Sequence, residues 1–146
     1  MSLVSIITPT FNEVENIEPL SLKIKEICET NKINYEQIII DNDSTDGTIE
    51  VIRKLTSQFK SIKAIINQSN FGQLKTFFYA LKQSNADAVI MLPSDFQTPP
   101  EIIIDYYNKW IYLLQTKILG TIPNLAGMKN SVMFSKIAKY TKVESS

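Results

Sequence analysis

Apolar positions along this chain alternate between short β-branched runs and longer stretches with helical spacing. Residues 4–8 form the first run and predict a strand that closes at Pro9. Ile17, Leu20, Ile24 and Ile27 then recur at three- and four-residue intervals among Glu18, Lys25, Glu26 and Glu29, the pattern of an amphipathic helix. Asn12, with Glu15 three residues on, predicts its capping box. Ile38, Ile39 and Ile40 stand in an unbroken row, as in a strand buried on both faces, and the row stops at the short polar residues 41–46. Asp46 is the predicted cap of a second helix that carries Ile49, Ile52, Leu55 and Phe59. Residues 62–67 predict a third strand. Leu74, Phe77, Phe78 and Leu81 predict a third helix beginning near Asn70, and residues 87–92 a fourth strand. Thr98, Pro99 and Glu101 predict a fourth helix, capped by Thr98 with Pro99 at its first position, that buries Ile103, Tyr107, Trp110, Ile111 and Leu114. Beyond Leu114 the pattern predicts a strand near 125–128 and a short helix around 134–140.

Strands alternating with helices predict an α/β fold: a Rossmann-like, mostly parallel sheet with right-handed crossovers and helices on both faces. At 146 residues the chain is read as a single domain, with βα units over 1–115 and a short divergent extension over 116–146. A parallel arrangement brings the carboxyl ends of the strands to one edge. Residues 8–11, 41–43, 67–70 and 93–95, distant in sequence, become neighbours there, where open α/β sheets place their ligands.

Composition narrows the chemistry. The chain has no histidine, which removes His-based triads, His-ligated metals and imidazole acid–base catalysis. Its formal net charge is +0 and it carries no basic tract, so charge gives no support to nucleic-acid binding. The one cysteine, Cys28, falls on the apolar face of the first helix and reads as a core residue. The N-terminus runs into a strand without a basic leader, so no signal peptide is expected. Residues 110–128 are weakly charged but broken by Lys117, Pro123 and two glycines, a poor membrane span.

Four isolated glycines, at 47, 72, 120 and 127, build neither a Gly-x-Gly-x-x-Gly turn nor a phosphate loop. What remains at the strand ends is carboxylates and amides, which suit a diphosphate bridged by a hard cation such as Mg2+ or Mn2+. Asp95 with Gln97 can supply two oxygens to such an ion; the competing reading is that Asp95 only terminates a strand.

Four stretches in order, 4–13 with Pro9, Phe11 and Glu13, 40–48 with Asp41-Asn42-Asp43, Asn70-Phe71-Gly72-Gln73, and 92–101 with Pro93-Ser94-Asp95-Phe96-Gln97, resemble the successive motifs of family-two glycosyltransferases. Within them the chain is most similar to the dolichol- and undecaprenyl-phosphate sugar transferases. The resemblance implies a GT-A fold whose N-terminal half binds a nucleotide-diphospho-sugar, UDP- or GDP-linked, with Mg2+ or Mn2+, and transfers the sugar, with a polyprenyl phosphate as the candidate acceptor. It implies that Pro9, Phe11 and Glu13 line the base and ribose pocket and that Asp41 and Asn42 edge the nucleobase. It gives Asp95 and Gln97 to the metal and Asp46 to the cap of the second helix. It also implies a cytoplasmic location, peripheral at the inner face of the membrane.

Three departures from the pattern qualify this. Pro93 stands where the family's Asp-x-Asp has its first carboxylate, and Asn42 where a second Asp is usual. Losing one hydrogen bond to a charged partner costs roughly 1.5–3 kcal/mol, or about one to two decades in donor affinity. Third, Glu144 is the only carboxylate after Asp105 and Arg53 the only arginine, so the family's acceptor half, with its general base, is expected to be missing. The alternative is therefore a truncated, non-catalytic nucleotide-sugar-binding module. An exposed sheet edge or apolar face left by that half would favour a homo-oligomer.

Overall fold

A computed structural model describes residues 2–118 and 133–135, with 116–118 and 133–135 given by their backbone alone. Nine elements follow in order: β1 Val4–Thr10, α1 Ile17–Thr30, β2 Tyr35–Asp41, α2 Thr48–Gln58, β3 Ile62–Ile66, α3 Gln73–Gln83, β4 Ala88–Met91, α4 Ile102–Ile118 and β5 Met133–Ser135. The sheet order is β3-β2-β1-β4-β5. The first four strands are mutually parallel, and β5 runs antiparallel to β4 along the far edge. The predicted α/β architecture is the observed one. Because β2 and β3 build outward on one side of β1 while β4 returns on the other, the chain reverses its winding between β1 and β4. That is the position where doubly wound sheets open a crevice.

The β-branched rows explain the core. Ile6 and Ile90 pack with Leu20, Ile24, Ile103 and Trp110 under α1 and α4. Ile39 packs with Ile17, Ile52, Leu55 and Ile62 under α1 and α2. On the opposite face Ile7, Ile38, Ile40 and Val89 pack against Phe77 and Ala80 of α3. Neighbours along β1 and β2 thus go to opposite sides, which is why the strands read as unbroken apolar runs. Cys28 is buried among them, and burial pushes its thiol up to about 12, the behaviour of a packing residue.

Element boundaries depart from the sequence reading where a polar residue found a better partner. β1 continues through Pro9 to Thr10. The missing Pro9 N–H costs no ladder bond, because β4 has already ended at Met91 on that side. Asn12 and Glu15 do not cap α1, whose N-cap position is Asn16 with no side-chain cap bond. Asn12 instead adopts φ 51° and reaches across to the loop after β2. Gly47 (φ 96°), not Asp46, occupies the N-cap position of α2, yet Asp46 Oδ1 still accepts the Thr48 N–H at 3.0 Å, one residue out of register. α3 begins at Gln73, not at Asn70, and α4 at Ile102 after a turn through Pro99 and Pro100 rather than at Pro99. Among the described side chains of α4, Ile103, Tyr106 and Trp110 are buried; Tyr107, Ile111 and Leu114 are half-buried. Of the apolar residues that marked α3, Phe77 is buried and Leu81 half-buried, while Leu74 and Phe78 face outward. The strand expected near 125–128 lies outside the described residues. Of the helix expected around 134–140, residues 134 and 135 belong to β5 and the rest lies outside them. No helix among the described residues is long and apolar enough to cross a membrane.

Candidate functional site

A cleft of about 380 Å³ opens at the carboxyl ends of β1, β2 and β4. It is lined on one side by Pro9, Thr10, Phe11 and Glu13, at the back by Asn42, and on the other sides by Asn70, Gly72 and Gln73 and by Pro93, Ser94 and Asp95. Of the residues expected to bind a donor, Pro9, Phe11, Glu13, Asn42 and Asp95 therefore share one surface. Asp41 and Gln97 are not part of the lining.

Asp41 stands behind the wall, 0% exposed, and holds it. Its Oδ2 accepts the Ser44 N–H at 2.9 Å and its Oδ1 the Ser44 hydroxyl at 2.5 Å. Ser44 Oγ in turn accepts the Asn12 N–H at 2.8 Å, and Asn12 Oδ1 accepts the Thr45 N–H at 2.8 Å. Thr48 Oγ1 accepts the Glu13 N–H, and Asp46 Oδ2 the Val14 N–H. These bonds dock the loop after β1 onto the loop after β2 and so fix where Phe11 and Glu13 emerge. The bond from the Thr48 hydroxyl is the main reason the Asp46 carboxyl lies below its ordinary value.

Asn42 does for the third loop what Asp41 does for the second. Its Oδ1 accepts from the Phe71 N–H at 3.0 Å, the Thr76 hydroxyl at 3.1 Å and Asn67 Nδ2 at 3.3 Å. Its Nδ2 donates to Asn70 Oδ1 at 2.7 Å, which also accepts the Gly72 N–H. The amide both gives and receives, which a carboxylate cannot do. The departure at position 42 is thus matched by Asn70, and together they shape the 67–72 turn that walls the cleft. Asn67, Asn70 and Thr76 had no assigned role in the sequence reading. The clue was present: three short polar residues flank the strand end next to a Gly, a composition that favours side-chain-to-backbone bonds.

The β4 loop is held differently. Ser94 N–H and Oγ both donate to the Pro9 carbonyl, at long distances of 3.4 and 3.3 Å. Asp95 is exposed, and its Oδ1 accepts the Gln97 N–H at 3.1 Å. Between them Phe96 sits at φ 57°, a left-handed conformation costing on the order of 1–2 kcal/mol for a side chain of this kind. This turn presents Asp95 to the cleft and leaves Gln97 exposed outside its lining.

No cluster of three or more acidic or sulfur ligands exists among the described residues, so the chain has no all-protein metal cage there. A single exposed carboxylate in an oxygen-rich cleft fits the alternative, a hard cation completed by waters and substrate phosphates. Asp95 and Glu13 are the two carboxylates among the described residues that line the cleft, and either could hold such an ion.

Residues 5–112 match the family described as Glycosyl transferase family 2. Over 122 residues the chain is 29% identical to the uncharacterized glycosyltransferase YkcC of Bacillus subtilis, covering 80% of this chain and 38% of that one. It is 34% identical over 100 residues to the dolichol-phosphate mannosyltransferase of Pyrococcus furiosus, covering 68% of this chain and 28% of that one. Its fold is similar to that of the mannosyltransferase PcManGT from Pyrobaculum calidifontis, solved with GDP-Man and Mn2+, at a TM-score of 0.56 and 23% identity, over 63% of this chain and 27% of that one. The chain thus spans between a quarter and two fifths of the length of these proteins.

Proposed function

We propose that this chain, which belongs to glycosyl transferase family 2, holds the nucleotide diphosphate of a sugar donor in its cleft with a Mg2+ or Mn2+ ion and serves transfer of the sugar to a polyprenyl phosphate. The observation that carries this reading is the convergence of Pro9, Phe11, Glu13, Asn42 and Asp95 on one cleft at the winding reversal of the sheet. The match to a dolichol-phosphate mannosyltransferase supports the acceptor class.

In this reading Phe11, 46% exposed, offers a face on which a base can stack beside Pro9. Asn42 and buried Asp41 keep the base-side wall rigid rather than contacting the base through free groups. Asp95 holds the cation, which when bound neutralises the diphosphate and favours its departure; Gln97 would reach it only by movement of the exposed turn. A phosphate acceptor brings its own anionic nucleophile. Its oxygen forms the new bond to the anomeric carbon, the bond to the diphosphate breaks with its electron pair, and the nucleoside diphosphate leaves with no proton to be removed. No general base is then required among the described residues.

A second reading is favoured by one observation: among the described residues that line the cleft, Glu13 and Asp95 are the only carboxylates. The chain would then be a nucleotide-sugar-binding module without turnover. Calorimetry with UDP and GDP, with and without Mn2+, tests donor binding; no heat at millimolar ligand would overturn both readings. Transfer from a nucleotide-sugar to polyprenyl phosphate separates them, and binding without transfer leaves the module.

A further inference from the structure

The face of the sheet that α3 covers is apolar along most of its length, with Ile7, Ile38, Ile40 and Val89 packed on Phe77 and Ala80. Toward the amino ends of the strands it turns polar. Ser5, Glu36 and Lys63 share the strand parity of Ile7, Ile38 and Ile65, so they stand on that same face, on three neighbouring strands. Glu36 is only 6% exposed. Its Oε1 accepts the Ser5 hydroxyl, and its Oε2 lies 2.5 Å from Lys63 Nζ. With the Ser5 proton committed to Glu36, the Ser84 hydroxyl donates to Ser5 Oγ at 2.7 Å, and Ser84 Oγ accepts the Ala86 N–H at 3.1 Å. One buried carboxylate is thus fixed by groups from β1, β3 and the residue after α3. The simpler account is a clip that holds the edge strand, yet apolar side chains of similar size do that as well as a buried ion pair. A clip also needs no space beside it. Here a second cavity, of about 300 Å³, opens against the pair, at the end of the sheet opposite the cleft. It exists because α3 packs chiefly over β1 and β2, short of β3.

We infer that this cavity binds a small zwitterion, a molecule carrying an ammonium and a carboxylate on one apolar body, as a free α-amino acid does. A carboxylate oxygen accepts up to two hydrogen bonds and an ammonium donates three. Among the described residues each Glu36 oxygen accepts one, and Lys63 donates one, so both members of the pair keep bonding capacity. An anion and a cation side by side match a ligand whose two charges are also adjacent. The ligand ammonium meets Glu36, its carboxylate meets Lys63, and the internal pair need not open. A ligand with a single charge would set it against one member of the pair. The Lys63 side chain is 64% exposed, so it adjusts at little cost. Beside the pair the lining is aliphatic at Leu3, Ile38 and Ile65 and aromatic at Tyr79, which is half exposed. That combination accepts an apolar or aromatic side chain. The volume lies at the low end of small-molecule sites, roughly 300–1,000 Å³, as suits one amino-acid-sized molecule. The inference stands on this cavity and not on what the cleft binds.

The test is a titration of the isotope-labelled full chain with L-phenylalanine, followed by amide chemical shifts. Phenethylamine, which lacks the carboxylate, and phenylpropionate, which lacks the ammonium, are run beside it. L-Phenylalanine should bind with a dissociation constant on the order of 1 mM or below. It should shift the amides of Glu36, 63–65 and 79–85 and leave those of Phe11, Asn42 and Asp95 in place. Phenylpropionate, which sets no cation against buried Glu36, should bind at least about tenfold more weakly. Phenethylamine forgoes only the contact with exposed Lys63 and should lose about threefold to fivefold. In Lys63→Gln that preference for phenylalanine over phenethylamine should vanish, which a merely structural role of Lys63 would not bring about. Glu36→Gln should cost phenylalanine at least about tenfold. Should that variant fail to fold, Tyr79→Ser, at an exposed position, carries the test: it should weaken phenylalanine by at least about threefold, with thermal midpoint and nucleotide calorimetry unchanged. No shifts at about 10 mM ligand, shifts confined to the cleft, or equal affinity for all three compounds would overturn the inference. So would a preference retained in Lys63→Gln or insensitivity to Tyr79→Ser, and the Glu36–Lys63 pair would then be a clip.

Discussion

The two sides of the cleft are built on opposite principles. On the β1–β2 side, buried Asp41 and Asn42 hold three loops through charge-assisted and amide bonds, and the residues at positive φ, Asn12 and Asp43, are of the kinds that accept it. On the β4 side, Asp95 and Gln97 are exposed, the contacts to Pro9 are long, and the residue at positive φ is an aromatic one. One wall is a scaffold whose disruption should cost folding energy. The other is a presented turn whose disruption should cost ligand binding and little else. Stability and affinity are therefore expected to separate by position across a single cleft.

The sharpest break is Asp41→Ala. It strips the Ser44 amide and hydroxyl of a fully buried charged acceptor, and the handful of bonds that dock the β1 loop follow. Each hydrogen bond to a charged group is worth about 1.5–3 kcal/mol, so a loss of about 3 kcal/mol in urea unfolding is expected. A loss under about 1 kcal/mol would show that the wall is not held from behind.

Asn42→Asp restores the carboxylate usual in the family but sets it 2.7 Å from Asn70 Oδ1. Turning the Asn70 amide to donate would give up its bond from the Gly72 N–H. A destabilisation of about 1–2 kcal/mol, with faster amide exchange over 67–72, is expected. Unchanged stability would mean that Asn70 adapts freely and that positions 42 and 70 are not matched. Gly47→Ala, at φ 96° with an added Cβ 3.6 Å from Val14, should cost about 1 kcal/mol from backbone strain alone.

Protonation probes the same wall gently. The Asp46 carboxyl is depressed by its bonds from Thr48, so the stability it contributes is present above the unfolded value near 3.8 and is lost as pH falls through the lower folded value. Urea midpoints for wild type and Asp46→Asn should converge as pH drops below 4 and differ above it. A constant difference at all pH values would assign the effect to packing instead.

These contrasts also show which parts of the molecule could be read from sequence. The sheet and its edge were legible because rows such as Ile38, Ile39 and Ile40 are buried on both faces and leave few alternatives. The cleft residues followed from knowing which strand ends meet. Caps were not legible: Asn12 and Asp46 sit where local bonding rules place a helix start, yet Thr45, Thr48 and Val14, brought close only by the fold, compete for the same oxygens. The part Asp41 plays in holding the wall was not legible, because nothing in its spacing reveals that Ser44 bonds both its oxygens. The outer face of α3 was not legible because helical spacing marks Leu74 and Phe78 as apolar but does not say which of two apolar arcs meets the sheet.

The central claim is that Asp95 serves a metal-bridged diphosphate while the β1–β2 wall serves the fold. The most direct measurement is calorimetry of UDP and GDP with and without Mn2+ on wild type and Asp95→Ala, run beside urea unfolding of both. Mn2+-dependent nucleotide binding by the wild type should fall by about one to two decades in the variant, with stability within about 0.5 kcal/mol. Unchanged Mn2+ dependence, or a loss of stability comparable to that of Asp41→Ala, would contradict it.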